Sequence, residues 1–147
     1  MEALIKLLDK KLILEKYEII EDTIYIYVNS KNAEAVCPYC NTVSYKVHSY
    51  YEKSFQDLPI QDKKTKIILK NRKMFCKNPE CSKKTFAERF EFISDKSKKT
   101  KRLEKEILNI SKNVSSITAS KILKKNTVDI SKSTICNIIK KNNLSNR

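Results

Sequence analysis

The chain has 147 residues, of which 40% are hydrophobic and 33% are charged, enough for one ordinary domain or two to three very small modules. It contains 31 Lys and Arg against 17 Asp and Glu, a formal net charge of +14, and it has no Gly. The missing Gly excludes Walker and dinucleotide-binding phosphate loops, and no stretch reaches the roughly 18 apolar residues that a membrane span requires.

The basic charge is unevenly distributed along the chain. Residues 1–35 contain five Lys and seven acidic residues, whereas residues 36–147 contain 26 basic and 10 acidic residues. The net charge is therefore −2 in the first segment and +16 in the second. Because the basic field begins where the cysteines begin, an anionic polymer is favoured as the partner.

The first 35 residues are predicted to form a short helix and a β-hairpin. Leucines on one face indicate a helix over residues 3–9. Ile and Val alternate with Tyr in the second half of residues 17–28, which indicates a hairpin with Glu21-Asp22 as its turn. A secretory signal is not expected, because the N-terminus lacks a basic flank, a long apolar core and a cleavage site.

The segment from residue 36 to residue 92 is predicted to be rich in β-strands. Pro59 should end the second of them, because proline has no N–H to donate to a ladder. In the longest predicted strand, residues 63–75, neither face is purely apolar, so one face is either solvated or turned towards nucleic acid. The predicted strands cover residues 43–48, 50–58, 63–75 and 85–88.

The apolar period becomes helical after Ser94. A first helix is predicted over residues 99–113, and Ser115 or Ser116 should cap a second. Residues 126–130 are predicted to be a connector, and Ser131 should cap a third helix. The apolar stripes of the three helices are Leu103, Ile107, Ile110 and Val114; Ala119, Ile122 and Leu123; and Ile135, Ile138 and Ile139.

Residues 116–141 have the proportions of a helix-turn-helix whose last helix carries a basic, small-polar face. Asn can pair bidentately with adenine, and Lys can reach guanine or phosphate. The competing interpretation is a solvated amphipathic helix in a three-helix core. The DNA contacts predicted on the last helix are Lys132, Ser133, Thr134, Asn137, Lys140 and Lys141, and those predicted elsewhere are Arg72, Lys98, Lys99, Lys101 and Arg102.

Four of the five cysteines form two pairs at the spacing of zinc knuckles. Cys37 and Cys40 are separated by two residues, and Cys76 and Cys81 by four. Zinc prefers four tetrahedral ligands, and two tight turns on separate hairpins that each present two thiolates make a zinc ribbon. Singly buried thiols are one alternative, and a redox Cys-x-x-Cys, which would need a βαβ pattern that is absent here, is another. Four thiolates leave no open position, so the predicted zinc is structural.

Two further residues with metal-binding chemistry are given other roles. Cys136 has no partner at knuckle spacing, and it is predicted to be an ordinary small apolar residue of the third helix. His48 is the only histidine, and it is predicted to be a strand residue with a hydrogen-bonded or DNA-facing imidazole. A role for His48 as zinc ligand in place of a cysteine is the alternative.

A series of short motifs follows in order along the chain. They are Cys37-Pro38-Tyr39-Cys40, Val47-His48-Ser49, Asp57-Leu58-Pro59, Arg72-Lys73-Met74-Phe75-Cys76, Asn78-Pro79-Glu80-Cys81 and Lys84-Thr85-Phe86-Ala87-Glu88-Arg89. With this ordered set, the chain resembles the N-terminal region of the ISL-three family of bacterial insertion-sequence transposases. It departs from the family at Asn41, where a Gly is common, and at several positions where Lys replaces Arg.

The resemblance implies a zinc ribbon and a helix-turn-helix that recognise the terminal inverted repeats of the element. In that family a separate C-terminal domain with a ribonuclease-H-like fold cuts and joins DNA with an acidic triad. This sequence ends at Arg147 and shows no carboxylate cluster for two metal ions, so we expect a truncated transposase without enzymatic activity. Two alternatives stay open: a fragment whose catalytic remainder is encoded downstream, and a stand-alone transcriptional regulator or protein-interaction module.

The sequence as a whole predicts an α+β protein in three parts. These are an N-terminal helix and β-hairpin over residues 1–35, a zinc-ribbon domain over residues 36–92, and a three-helix, helix-turn-helix module over residues 99–142. The expected cofactor is zinc, and the expected partner is double-stranded DNA at transposon ends. No membrane partner is expected, and a homodimer is left open. The expected location is the cytoplasm, in association with the nucleoid.

Overall fold

The computed structural model describes residues 1–125 and 128–145 of an α+β chain. In chain order the elements are α1 (Glu2–Leu8), β1 (Leu12–Ile20), β2 (Thr23–Ser30), β3 (Ala35–Val36), β4 (Val43–Ser44), β5 (Val47–Ile60), β6 (Lys63–Phe75), β7 (Thr85–Ala87), α2 (Lys101–Ser111), α3 (Ser116–Lys125) and α4 (Lys132–Ser145). None of the helices in the described ranges has the length and apolar character needed to cross a membrane.

A mixed sheet organises the first two thirds of the chain. Its strands follow the order β1-β2-β6-β5, and β7 also pairs with β6. The β2–β6 pair is parallel, whereas the β1–β2, β5–β6 and β6–β7 pairs are antiparallel. The N-terminal hairpin therefore shares one sheet with the strands that lead to the cysteines. The domain boundary placed at residue 35 stays a prediction.

The predicted strands agree with the structure in part. The N-terminal hairpin turns at Glu21 and Asp22, and β6 has the predicted bounds. The predicted strands 43–48 and 50–58 are instead the two-residue β4 and one long β5 that continues to Ile60. The prediction that Pro59 ends the strand was wrong, because the register shifts between Asp57 and Ile60 and Pro59 lies in that irregularity.

Residues other than Gly occupy every left-handed position that the structure describes. At the β5–β6 turn both Gln61 and Asp62 have positive φ, 49° and 62°, as a type I′ turn requires. A left-handed residue with a Cβ costs roughly 1–2 kcal/mol, and Gly or Asn would be favoured here. The long β5–β6 ladder on either side of the turn holds these residues in place.

One face of β6 packs into the main core. Thr65, Ile67 and Leu69 are buried, whereas Lys66 and Lys70 on the other face are exposed. The mixed character of this strand thus reflects one packed face and one solvated face. The buried face meets α1 and the segment after β7, and the core comprises Ile5, Leu12, Ile24, Ile26, Val28, Phe55, Ile67, Leu69, Phe90 and Phe92.

The last three helices pack on one another around a second core. The caps agree with the sequence: the Ser115 hydroxyl accepts from the N–H of Thr118 at 3.2 Å, and the Ser131 hydroxyl accepts from that of Thr134 at 3.2 Å. Ile122, predicted to be buried, is half-buried. Two connector residues, Asn126 and Thr127, lie outside the described residues. The core comprises Leu103, Ile107, Ala119, Leu123, Val128, Ile130, Ile135 and Ile138.

Polar contacts join the sheet to this helical module (residues 100–125 and 128–143). Lys64 of β6 forms an ion pair with Asp129 at 3.0 Å, and this contact raises the pKa of Lys64. The side-chain amide of Gln56 forms two hydrogen bonds with the backbone of Asp129. Its nitrogen donates to the Asp129 carbonyl at 3.1 Å, and its oxygen accepts from the Asp129 N–H at 2.9 Å. Leu58 of β5 packs against the helical core. The helical module therefore contacts the β5–β6 hairpin near its turn.

Candidate metal centre and nucleic-acid interface

The first cysteine pair lies on the tight turn between β3 and β4. The N–H of Cys37 donates to the carbonyl of Thr42 at 2.9 Å, and the N–H of Asn41 donates to the carbonyl of Cys37 at 2.8 Å. Asn41 has a φ of 61°, in the left-handed region. Asn is among the few residues besides Gly that adopt this region readily, which explains how the turn closes without Gly.

The second cysteine pair lies between β6 and β7. The N–H of Cys76 donates to the carbonyl of Lys84 at 2.8 Å, so Cys76 lies at the end of the β6–β7 ladder, where the two strands separate. The N–H of Cys81 donates to the carbonyl of Asn78 at 3.1 Å, and the Asn78 side chain accepts from the N–H of Glu80 at 3.0 Å. This Asx-type turn bends the chain so that both thiols point the same way.

The four thiols of Cys37, Cys40, Cys76 and Cys81 meet in one cluster. Their sulfur atoms all lie within 4.8 Å of one another, with 3.9 Å between Cys37 and Cys81 and 3.5 Å between Cys40 and Cys76. These separations are far longer than the roughly 2.05 Å of a disulfide. A tetrahedral site with 2.3 Å metal–sulfur bonds has edges of about 3.8 Å. The cluster therefore has the size and donor set of a zinc site.

The surroundings of the cluster suit a structural metal. Cys37 is fully buried and the other three cysteines are half-buried against Met74 and Phe86. Four thiolates would fill the four positions that zinc prefers and would leave no position for water. Within the described part of the chain, this is the one group of three or more Cys, His, Asp or Glu side chains close enough to share a metal ion.

The thiols of the cluster differ in acidity. Hydrogen bonds with the side chain and backbone of Thr42 lower the pKa of Cys40 to about 6. The backbone at Asn78 lowers the pKa of Cys76, but desolvation and hydrogen bonds with the neighbouring thiols outweigh it, and that pKa rises to about 12. Because zinc binds thiolates, binding releases the protons that these thiols hold, and zinc affinity falls as the pH falls.

Comparison with known proteins agrees with this geometry. Residues 33–81 match the family model described as the zinc-finger of transposase IS204/IS1001/IS1096/IS1165, and the matched segment contains all four cysteines. Residues 33–81 are therefore similar to the zinc ribbon of these transposases. The comparisons with curated proteins and with solved structures found no match. The predicted zinc cofactor and the predicted ribbon are thereby confirmed.

A buried ion pair holds the zinc ribbon against the main sheet. The Arg72 guanidinium donates to both carboxylate oxygens of Glu88 at 2.9 Å, and the two side chains are only 9% and 5% exposed. Arg72 also donates to the Ser30 hydroxyl at 3.1 Å and to the Ala33 carbonyl at 3.1 Å. The pair therefore ties β6 and β7 to the segment that leads into the first cysteine pair.

This position changes the role of Arg72. It was predicted to contact DNA, but its guanidinium is buried and its donors are used within the protein. Hydrogen bonds to Glu88 raise the pKa of Arg72 further, so the guanidinium stays protonated and paired with Glu88. The structure gives Arg72 a positioning role, and we leave it out of the DNA-contacting set.

A second buried carboxylate joins the sheet to the helices. Asp57, in β5, accepts from the Thr100 hydroxyl at 2.7 Å and from Arg102 Nε at 2.8 Å, and Arg102 Nη2 donates to its other oxygen. Thr100 in turn caps α2, where its hydroxyl accepts from the N–H of Leu103 at 3.4 Å. Arg102, predicted as a DNA contact, is thus held by Asp57, although its side chain is 42% exposed.

The other basic residues predicted near α2 differ in exposure. Lys98 and Lys101 are exposed, whereas Lys99 is half-buried. Desolvation lowers the pKa of Lys99, and the nearby charge of Lys98 adds to this effect. These three residues adjoin the N-terminus of α2, which places them at the junction between the sheet and the helical module.

The residues predicted to read DNA from α4 fall mostly on its exposed side. Lys141 also forms an ion pair with Glu104 of α2 at 3.7 Å. Thr134 is half-buried, and its hydroxyl lies 3.0 Å from that of Ser131 within the helix cap. The exposed members of the set are Lys132, Ser133, Asn137, Lys140 and Lys141.

His48 and Cys136 both lie outside the metal centre. His48 lies in β5 outside the sulfur cluster, with its Nδ1 2.9 Å from the Ser49 hydroxyl and its ring in an edge contact with Phe75. Cys136 lies on α4 and contacts the hydroxyl of Ser116 on α3, with 3.5 Å between sulfur and oxygen. Neither side chain contributes to the metal centre.

Three residues important for the site were not singled out from the sequence. Thr42 sets the acidity of Cys40, Glu88 holds Arg72, and Asp57 anchors the helices. Glu88 and Asp57 both lie inside the short motifs that follow in order along the chain, and this is the one sequence signal that could have identified them. Their partners are distant in sequence, so spacing alone does not reveal what they do.

Proposed function

We propose that this chain is the DNA-binding part of a transposase and that it recognises the terminal inverted repeats of an insertion sequence. The observation that carries the proposal is the transposase-type zinc ribbon, whose four sulfur atoms lie within 4.8 Å of one another. The net charge of +14 supports a polyanionic partner.

We further infer that α3 and α4 act as a helix-turn-helix in which α4 is the recognition helix. The Ser120 hydroxyl donates to the Ile130 carbonyl at 2.8 Å, which ties α3 to the residues that lead into α4. Burial of Ile135 and Ile138 turns one side of α4 to the core. The opposite side carries Asn137 and exposed lysines, a set suited to base edges and phosphates.

The role proposed for the zinc is to organise recognition, and the residues of this chain would bind DNA without cutting it. Four thiolates complete the coordination shell of zinc and leave no position from which it could activate water. The ion would instead hold the two cysteine turns together and so fix the ribbon beside the sheet.

The proposal is tested by measuring binding of the zinc-loaded chain to a duplex carrying the element's terminal repeat. An unrelated duplex of equal length and composition is the comparison. We expect tighter binding to the repeat, a steep decrease with salt, and loss of binding after zinc is removed. Equal affinity for both duplexes would refute recognition of the repeats, and binding that survives loss of zinc would refute the role given to the ribbon.

A matched pair of variants on α4 tests the recognition helix. Asn137→Ala removes an amide suited to adenine, and Lys140→Ala removes a cation suited to phosphate. The first should reduce the preference for the repeat, by roughly 1–3 kcal/mol if Asn137 reads a base, whereas the second should weaken both duplexes alike. If Asn137→Ala weakens both duplexes equally, α4 does not read bases through this residue.

A further inference from the structure

A concave surface lined by lysines lies beside β5 at the edge of the sheet. β5 is the last strand of the sheet, and the segment before α2 lies against it. The cleft between them has a volume of about 580 Å³, and no carboxylate lines it. Its five lysines, which we name the lysine cluster, are Lys53, Lys66, Lys96, Lys98 and Lys99.

The backbone beneath the lysine cluster is held by sheet-like hydrogen bonds. The N–H of Gln56 donates to the carbonyl of Lys98 at 2.9 Å, and the N–H of Thr100 donates to the carbonyl of Gln56 at 3.0 Å. Lys99 thus pairs with Gln56 as a short parallel extension of the sheet. Because this backbone is fixed, less conformational entropy is lost when the cluster binds a partner.

The lysine cluster forms no ion pairs within the described part of the chain. The ammonium group of Lys53 lies over the ring of Tyr51 at 5.6 Å. Lys99 is half-buried, and desolvation lowers its pKa; the charge of Lys98 lowers it further, whereas the charge of Glu104 opposes the shift. Neighbouring cations repel one another, and a bound polyanion would relieve this repulsion.

We propose that the lysine cluster binds the sugar–phosphate backbone of the same duplex that the chain recognises, an inference that rests on the proposed function. The five lysines line an open cleft and not an enclosed cavity, which suits a run of phosphates better than a single anion. Lysine acts as a point charge without the fork geometry of arginine, so these contacts position DNA without reading its sequence. The cluster extends the proposed interface from the helical module onto the sheet.

Two variants of equal charge test this inference on the full zinc-loaded chain. The cluster variant carries Lys53→Gln, Lys66→Gln and Lys98→Gln, which are all exposed positions. The control variant carries Lys6→Gln, Lys10→Gln and Lys31→Gln, three exposed positions in the acidic N-terminal segment. Affinities for the repeat duplex and for an unrelated duplex are measured by fluorescence anisotropy over a range of salt concentrations.

The cluster variant is expected to bind both duplexes more weakly and with a shallower salt dependence. Each lost phosphate contact lowers the slope of log K against log salt by about 0.9, so the triple change should lower it by roughly 2 to 3. The control variant should keep the slope of the unaltered chain. Zinc content and the unfolding midpoint are measured alongside, so that a loss of fold is not mistaken for a loss of contacts.

Several outcomes would overturn the inference. An unchanged slope in the cluster variant would show that these lysines contact no phosphates. An equal decrease in both variants would show that only the overall charge matters. Weaker binding to the repeat duplex alone would mean that these lysines read sequence. If the unaltered chain binds neither duplex, both the proposed function and this inference are refuted. If the cluster variant binds as the unaltered chain does, only this inference is refuted.

Discussion

The zinc ribbon and the helical module are stabilised by different forces. The apolar core of the ribbon contains four buried residues, Ala35, Cys37, Met74 and Phe86, and one of these is itself a metal ligand. The helical core contains eight buried residues, all apolar, and no member of the sulfur cluster. A core as small as that of the ribbon buries too little surface to fold alone, so we expect the metal to supply most of its stability. The helices depend on packing.

The two regions are also joined to the sheet in different ways. The ribbon is held by a carboxylate–guanidinium pair that is almost completely buried, Glu88 with Arg72. The helices are held by Asp57, which is buried, and Arg102, which is partly exposed to solvent. Solvent screening weakens the second pair, so the ribbon junction should be the more sensitive of the two to loss of one partner.

Removal of zinc should have the largest effect, and it should separate the two regions. Chelation, or Cys76→Ser, removes a binding free energy on the order of 10 kcal/mol that is available to the ribbon alone. We expect the ribbon to unfold while the helices of residues 101–143 keep their helical circular dichroism. Zinc content and amide hydrogen exchange report on the two regions separately. Cys136→Ser is the control, because Cys136 lies outside the cluster and should leave zinc content unchanged.

Two results would contradict this expectation. If the ribbon amides stay protected after chelation, the metal does not supply the stability of the ribbon. If the helices melt together with the ribbon, the two regions fold as one unit and the comparison between them fails.

Loss of one partner of the buried ion pair should have the next largest effect. Glu88→Gln leaves the Arg72 charge buried without a counter-charge, and we expect a loss of about 3–5 kcal/mol in the free energy of unfolding. Urea denaturation measures the loss, and Glu52→Gln on the exposed part of β5 is the matched control. The double variant Arg72→Met with Glu88→Leu should recover part of the stability. A loss below about 1 kcal/mol for Glu88→Gln would mean that the pair does not hold the ribbon.

A cavity in the helical core should destabilise the helices and leave the zinc in place. Ile135→Ala empties a fully buried position, at an expected loss of about 2–5 kcal/mol. Ile117→Ala, at a position that is half exposed, should change stability by much less. Thermal unfolding followed by circular dichroism gives the loss, and a zinc assay checks the ribbon. Release of zinc by Ile135→Ala would show that the two regions are coupled.

The smallest expected effect concerns the turn between β5 and β6. Asp62 has a φ of 62°, so Asp62→Gly should relieve left-handed strain and raise the free energy of unfolding by roughly 0.5–1 kcal/mol. Ser54→Gly, in the middle of β5, should lower it by a similar amount because Gly weakens a strand interior. Destabilisation by both changes would indicate that the Asp62 side chain stabilises the turn.

Much of the local structure was predictable because its causes are local. Alternation of Ile and Val with Tyr predicted the second strand of the N-terminal hairpin, and the serine caps at Ser115 and Ser131 predicted where two helices begin. The four zinc ligands were predictable because each pair lies within a few residues, where spacing and chemistry act together. The continuation of β5 past Pro59 was not predictable, because it depends on a register shift against β6.

The sequence by itself determined the zinc chemistry, the strand and helix periods, and the excess of positive charge after residue 36. Only the tertiary structure decided how these parts are joined and which cations are available to a partner. Arg72 and Lys53 illustrate the difference: both are basic residues of strands, yet Arg72 is buried against Glu88 while Lys53 lines an open cleft. The physical reason is that charge is a property of a residue, whereas burial and pairing depend on residues far away in the chain.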